Sequence, residues 1–130
     1  MLDLGSGDGR ILIEAALKYD DIDCYGVEIN PFLVKLSNKR IANLGLSNRI
    51  KIIRGNLFQT DLSKFDVITL YLTPKAIKML YYKLKGMLKL GKKVITHNYP
   101  IPGLDPVLAE KVSVNGLIHK IYLYTEKSLI

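Results

Sequence analysis

The sequence predicts an α/β protein, a doubly wound and mostly parallel sheet finished by a C-terminal antiparallel hairpin. Three observations predict it. An apolar stub, Leu2-Asp3-Leu4, runs into Gly5-Ser6-Gly7-Asp8-Gly9 and then into a helical pattern, the order of a strand, a tight turn and a helix. Short apolar, β-branched runs then alternate with helix-length amphipathic stretches as far as Asn98. Finally, Asn115-Gly116 separates two strand-like runs, Val107 to Val114 and Leu117 to Thr125, as a hairpin turn would.

In chain order, Met1 to Leu4 forms only a stub of a first strand, because a buried parallel strand usually has about five or six residues. A helix is expected from Gly9 to about Lys18, with Asp8 as N-cap and an apolar stripe of Ile11, Leu12, Ala15 and Ala16. Ile22 to Glu28 reads as a second strand that ends in a carboxylate. Asn30-Pro31 supplies a cap and a first-turn proline for a second helix ending near Gly45, with Lys35, Lys39 and Arg40 on its solvent face. Ile50 to Arg54 is a third strand, closed by Gly55-Asn56-Leu57-Phe58.

Phe65 to Tyr71 is a fourth strand, and Thr73-Pro74 starts a third helix that turns Ile77, Leu80, Tyr81, Leu84 and Leu88 to one side and most of its lysines elsewhere. Gly91 ends that helix. A fifth strand, Lys93 to Asn98, leads into the stiff segment Tyr99-Pro100-Ile101-Pro102-Gly103.

The glycine turn and two strand ends carry the chemistry. Glycines at alternate positions let the backbone turn tightly and leave room for a ligand against bare main chain. A dinucleotide fingerprint would need its last glycine at position 10, where Arg10 stands. Asp3 would repel a pyrophosphate and attract an ammonium group, which points instead to S-adenosylmethionine. Glu28 ends the second strand where an acid accepts hydrogen bonds from ribose hydroxyls, and Asn56, Leu57 and Phe58 are placed to meet the adenine. The candidate cofactor contacts are Asp3, Gly5, Ser6, Gly7, Asp8, Gly9, Glu28, Ile29, Asn56, Leu57, Phe58 and Tyr71. Strand ends on this side of an open sheet bear the chemistry, so Tyr71, Thr73 and His97 are candidates for the acceptor side.

The 130 residues, 48% of them apolar, suit one compact domain over 1–130. The single cysteine, Cys24, excludes an internal disulfide framework and suits a reducing compartment. No apolar run approaches the roughly 20 residues of a membrane span, so a cytoplasmic location without a membrane partner is expected. The net charge of +7 allows a nucleic-acid partner, although few aromatics interleave with the lysines between Lys75 and Lys93. No metal site is expected.

With these residues laid out, the chain resembles the Rossmann-like, seven-strand class of S-adenosylmethionine-dependent methyltransferases. More narrowly it resembles the small archaeal protein-lysine methyltransferases and their mitochondrial relatives. The likeness rests on Asp3 to Arg10, Gly26-Val27-Glu28-Ile29-Asn30, Gly55 to Phe58, Tyr71-Leu72-Thr73-Pro74 and the ending His119 to Tyr124. It implies that Asp3, Gly5 and Gly7 hold the methionine portion of the cofactor, Glu28 the ribose and Asn56 the adenine end. It implies also that Tyr71 to Pro74 line a channel for a lysine of a protein substrate. In that family the glycine motif is preceded by residues that complete the first strand, so the first strand is expected to be truncated here, with an N-terminal part missing.

The reaction such an enzyme performs is displacement by a neutral amine at the sulfonium methyl, which leaves S-adenosylhomocysteine. His97 and Tyr71 are the candidate bases. Two other readings stay open. A nucleic-acid methyltransferase is favoured by the basic charge, but Tyr71-Leu72-Thr73-Pro74 replaces the Asn/Asp-Pro-Pro-aromatic motif usual for base amines, and Cys24 lies away from the pocket. A non-catalytic cofactor-binding module is favoured by the short first strand.

Overall fold

The computed structural model describes residues 1–130 as two compact units, 1–61 and 62–130. Its strands are those of one seven-stranded mixed sheet, three of them in the first unit and four in the second.

In the first unit, β1 (Leu2–Leu4), β2 (Cys24–Glu28) and β3 (Ile50–Arg54) are parallel, with Asp3 opposite Gly26 and Glu28 opposite Arg54. The helices α1 (Arg10–Lys18) and α2 (Pro31–Asn43) connect them, as the crossover between parallel strands requires. Leu12, Ile13 and Ala16 of α1 join Cys24, Ile41, Leu46 and Ile50 in a buried core. The apolar stripe is therefore rotated from the expected one: Ile13 is inside, while Ile11 and Ala15 are only half-buried. Asn30 caps α2 by accepting the Phe32 N–H at 2.9 Å, and Gly45 follows the helix at φ 70°, a conformation that suits glycine. Arg49 ties the end of α1 to the start of β2: its guanidinium donates to the carbonyls of Ala16, Tyr19 and Ile22.

Two expectations are corrected here. The N-cap of α1 is Gly9, at φ 82° and without a side-chain cap, rather than Asp8. The Asp8 carboxylate instead pairs with Arg10 at 2.8 Å and with Arg40 at 3.2 Å. Arg40, expected on the solvent face of α2, is partly buried and also donates to the Asp8 carbonyl at 3.2 Å. The Asp8 carboxylate keeps a longer bond from the Arg10 backbone N–H at 3.3 Å, but its shorter, charge-assisted contacts are with the two guanidiniums.

The hydrogen bond from Arg10 holds the Asp8 carboxyl below its usual value. A carboxylate whose folded pKa is depressed contributes stability above its unfolded pKa and loses it as pH falls through the folded value. The stability difference between wild type and Asp8→Asn should thus stay level from pH 7 to about pH 4 and shrink below 3.8, which urea titrations at pH 6 and pH 3 would check.

In the second unit, β4 (Val67–Leu70) and β5 (Lys93–His97) are parallel, whereas β6 (Leu108–Val114) and β7 (Leu117–Tyr124) form the expected hairpin, with β7 antiparallel to β5. Asn115 and Gly116 turn it at φ 51° and 79°, as a two-residue hairpin loop demands. The connecting helix α3 (Pro74–Lys89) starts at Thr73, whose hydroxyl accepts the Ala76 N–H at 3.2 Å, and buries Ile77, Leu80, Leu84, Met87 and Leu88. Lys75, Lys78, Lys83 and Lys89 are exposed, as expected of a solvated face. A short 3-10 turn, Glu126–Leu129, closes the chain with a capping box between Thr125 and Ser128. No helix is long and apolar enough to cross a membrane.

Tyr124 is fully buried and its phenol oxygen accepts the buried Ile101 N–H at 2.9 Å, which fixes the proline-rich segment after β5. Tyr124→Phe leaves that N–H without its partner, and a loss of about 1–3 kcal/mol in unfolding free energy is expected from denaturant titration.

Candidate functional site

In the first unit the glycine loop lies between β1 and α1, and its main chain is anchored to β2. The N–H groups of Gly5 and Ser6 both donate to the Val27 carbonyl, at 2.9 and 3.0 Å, and Gly9 N–H donates to the Ser6 carbonyl at 3.0 Å. Gly5, Gly7 and Gly9 have φ of 73°, 59° and 82°, so this path is strained for any residue with a Cβ. A Cβ at Gly7 would meet nothing within 4 Å, so the space over the loop is open. Ser6 is buried and its hydroxyl has no hydrogen-bond partner.

Glu28 is the centre of this site. It is 9% exposed, and its two carboxylate oxygens are each held by one backbone donor, Oε1 by Gly7 N–H at 2.9 Å and Oε2 by Asn30 N–H at 3.0 Å. The same residue thus fastens the glycine loop to the start of α2. Beside it a cleft of about 200 Å³ is lined by Gly5, Val27, Glu28 and Ile29 and by the run Gly55-Asn56-Leu57-Phe58. Gly55 N–H donates to the Glu28 carbonyl at 3.1 Å, which brings that run to the end of β2. Asn56 uses its side-chain oxygen to cap the 3-10 turn Leu57–Gln59 through Phe58 N–H at 2.9 Å, as an ordinary turn asparagine does. Ile29 is 64% exposed, an apolar side chain beside the cleft.

The structure therefore brings Gly5, Glu28, Ile29, Asn56, Leu57 and Phe58 to one cleft, with Gly7 bonded to Glu28. Asp3 lies buried within β1, and Asp8 is turned to its arginines. What the sequence reading missed is Gly26. A Cβ there would stand 2.6 Å from the Ser6 hydroxyl oxygen and 2.8 Å from Leu12 Cδ1, so only glycine lets the loop lie on β2.

In the second unit, the candidates collect at the carboxyl ends of β4 and β5. Tyr71, just after β4, places its ring centroid 4.0 Å from that of His97, the last residue of β5. Asn98, at φ 66°, donates its amide to the Tyr71 hydroxyl at 3.2 Å and accepts Lys120 N–H at 3.0 Å. His97 Nε2 lies 2.7 Å from Nδ1 of His119 on β7. Burial, and then the charge of His119, hold the His97 imidazole below its ordinary range. Thr73 is exposed and engaged as the cap of α3. His119 and Asn98 were not singled out for a role by the sequence. Counting register through the hairpin to β5 would have found the first, because residues of β7 alternate faces and His119 shares that of His97. No group of three or more His, Cys, Asp or Glu side chains is arranged to hold a metal ion.

A parallel glycine-loop unit with a strand-end acid, followed by a parallel pair and an antiparallel hairpin, defines the seven-strand methyltransferase class. The chain belongs to the family of the ANTKMT methyltransferase domain, whose model matches residues 3–108. It is 38% identical over 122 residues to a protein-lysine N-methyltransferase of Saccharolobus islandicus, covering 94% of this chain and 76% of that protein. It is 34% identical to the adenine nucleotide translocase lysine N-methyltransferase of Mus musculus, covering 82% of this chain but only 46% of the mouse protein. Among solved structures it is similar to an RNA methyltransferase from Salinibacter ruber in complex with S-adenosyl-L-homocysteine. That match has a TM-score of 0.83 and 35% identity and covers 95% of this chain and 78% of the other.

Proposed function

We propose that this chain transfers methyl groups from S-adenosylmethionine to lysine side chains of proteins. The observation that carries the cofactor half is the double tether of Glu28. A carboxylate oxygen offers about two acceptor sites, and each oxygen of Glu28 spends one of them on a backbone N–H. One site per oxygen is left, a matched pair for the adjacent hydroxyls of a ribose. The residues fit the rest of the cofactor as well. The open space over Gly7 and the unpartnered Ser6 hydroxyl suit its amino-acid portion, and Ile29, Leu57 and Phe58 give apolar walls for a purine.

The bound cofactor supplies an electrophilic methyl group on a sulfonium. The protein's part is to hold that group and an incoming amine in line, to exclude water, and to receive the proton that an ammonium must lose first. A lysine amine has a pKa of about 10.4 in water, so it needs both a less polar surrounding and a proton acceptor. At the carboxyl ends of β4 and β5, Tyr71, His97 and Asn98 form an aromatic and polar cluster that includes side chains able to accept a proton. The lysine reading is supported by the Saccharolobus and mouse relatives, both lysine methyltransferases. A second reading, methylation of RNA, is favoured by the Salinibacter protein and by the net charge of +7.

The experiment is transfer of radiolabelled methyl from S-adenosylmethionine into a cell extract, with protein and nucleic-acid fractions counted separately and Glu28→Ala as control. Label recovered as methyl-lysine and absent with the variant is the expected result. Label in RNA alone would replace the lysine reading with the second one.

A further inference from the structure

We infer that Arg40 is a positioning residue of the cofactor site, holding the outer half of the glycine loop in its binding shape by way of Asp8. The inference rests on the cofactor half of the reading above and lies wholly within residues 1–61. The loop needs such a hold. Gly5, Gly7 and Gly9 all sit at positive φ, and glycine visits the opposite sign of φ about as readily, so a sequence that permits this path permits many others. The inner half of the loop is fixed to β2 by the N–H groups of Gly5 and Ser6, and Gly7 is fixed by Glu28. From Asp8 onward, α2 sets the path.

Two residues of α2, three positions apart and so on one side of the helix, meet the loop. Ser37 is fully buried, and its hydroxyl turns back to the Leu33 and Val34 carbonyls at 2.9 and 3.0 Å. It therefore offers carbon to the loop, and a Cβ at Gly9 would stand 3.1 Å from Ser37 Cβ. Arg40 supplies the polar contact. Its Nη1 donates to the Asp8 carbonyl at 3.2 Å and pairs with the Asp8 carboxylate at 3.2 Å, so one guanidinium grips both the main chain and the side chain of a loop residue. Arg10 binds the same carboxylate at 2.8 Å, but from two residues away, so it orients that side chain without fastening the loop to another element. Arg40 is also the less exposed of the two, 41% against 76%, and a shielded contact keeps more of its strength.

The contact closes a circuit. Glu28 joins Gly7 N–H to Asn30 N–H at the start of α2, and Arg40, near the other end of that helix, returns to Asp8. Adjacent loop residues are thus held from both ends of one rigid element. A loop already fixed in its bound shape has less freedom to lose when a ligand arrives, which strengthens binding. Charge alone would act in the opposite sense. S-adenosylmethionine carries a net positive charge, so a nearby guanidinium repels it, and any affinity that depends on Arg40 is transmitted by the loop.

The test uses the full chain and three variants. Arg40→Met keeps an unbranched stem and removes the guanidinium, Arg40→Lys keeps the charge on a single donor group, and Lys39→Met removes a charge from the exposed neighbour on α2. In Arg40→Met, amide exchange at Gly7 and Gly9 should quicken about tenfold in the free protein and return to the wild-type rate with saturating S-adenosylhomocysteine. Affinity for S-adenosylhomocysteine should fall about tenfold, with Arg40→Lys between and Lys39→Met unchanged. In methyl transfer, KM for S-adenosylmethionine should rise by about the same factor while kcat stays within about twofold. Adding Asp8→Asn to Arg40→Met should cost little more, because both act through one contact. Lower unfolding free energy with wild-type loop exchange and affinity would make Arg40 a strut of the fold and overturn the proposal. An equal loss in Lys39→Met would overturn it too, by assigning the effect to charge. If wild type binds no S-adenosylhomocysteine, the cofactor reading itself has failed, and the positioning role with it.

Discussion

Glu28→Ala should lower affinity for S-adenosylhomocysteine about a hundredfold or more. Two carboxylate oxygens, each with one lone-pair site left after bonding Gly7 N–H and Asn30 N–H, would hold two ribose hydroxyls, and hydrogen bonds to a charged group are worth about 1.5–3 kcal/mol each. Every 1.4 kcal/mol is tenfold in affinity. The substitution also frees the glycine loop from β2 at one of its anchors, which adds to the loss. Glu28→Gln keeps one oxygen and should fall between, near tenfold. Isothermal titration with S-adenosylhomocysteine measures both, and a change of less than threefold in Glu28→Ala would remove Glu28 from the cofactor site. The same comparison has a stability readout. Ligand at a hundred times its Kd should stabilise wild type by about 2.7 kcal/mol and stabilise the variant much less at the same concentration.

Gly26→Ala is expected to damage the same site without removing a single polar atom. The new methyl would sit 2.7 Å from Ser6 Cβ and 2.8 Å from Leu12 Cδ1. Ser6 Cβ is fixed to the loop backbone and cannot rotate away, and Leu12 is wholly buried on α1. The loop must rise from β2, which strains or breaks the bonds from Gly5 and Ser6 to the Val27 carbonyl. Overpacking of this kind costs about 1–3 kcal/mol in stability. Because the displaced segment is the one expected to cradle the cofactor, affinity for S-adenosylhomocysteine should fall with it, by tenfold or more. Denaturant titration and calorimetry on one preparation would separate the two effects. Wild-type stability together with wild-type affinity would mean that the loop has room to shift at no cost.

The features legible in the sequence are those set by local chemistry. The glycine turn, the acid at the end of β2, the Asn30-Pro31 and Thr73-Pro74 helix starts and the Asn115-Gly116 hairpin each depend on a few adjacent residues, and each forms as expected. What was misread depends on partners far along the chain. Asp8 reads as a helix cap until Arg40, thirty-two positions later, is seen to reach it. The inward turn of Ile13 is decided by which face of α1 meets Ile41 and Ile50. Gly26 looks like an ordinary strand glycine because its reason is a contact with Ser6. His119 gains significance only through the register of two strand pairings. The closing 3-10 turn was missed because its capping box uses Ser128 where the usual pattern has Glu or Gln.

The candidate groups are also sorted along the chain. Apart from Tyr71, every residue expected to meet the cofactor falls within 1–61, and Tyr71, Thr73, His97 and His119 all follow in 62–130. On the function proposed above, selection for holding the methyl donor and selection for choosing what receives it would act on separate, contiguous stretches of sequence. A lineage can rewrite its later stretch and change its target while the earlier one stays under the same constraint. Relatives of comparable similarity to this chain that modify lysine in one case and RNA in another are the outcome such a division permits.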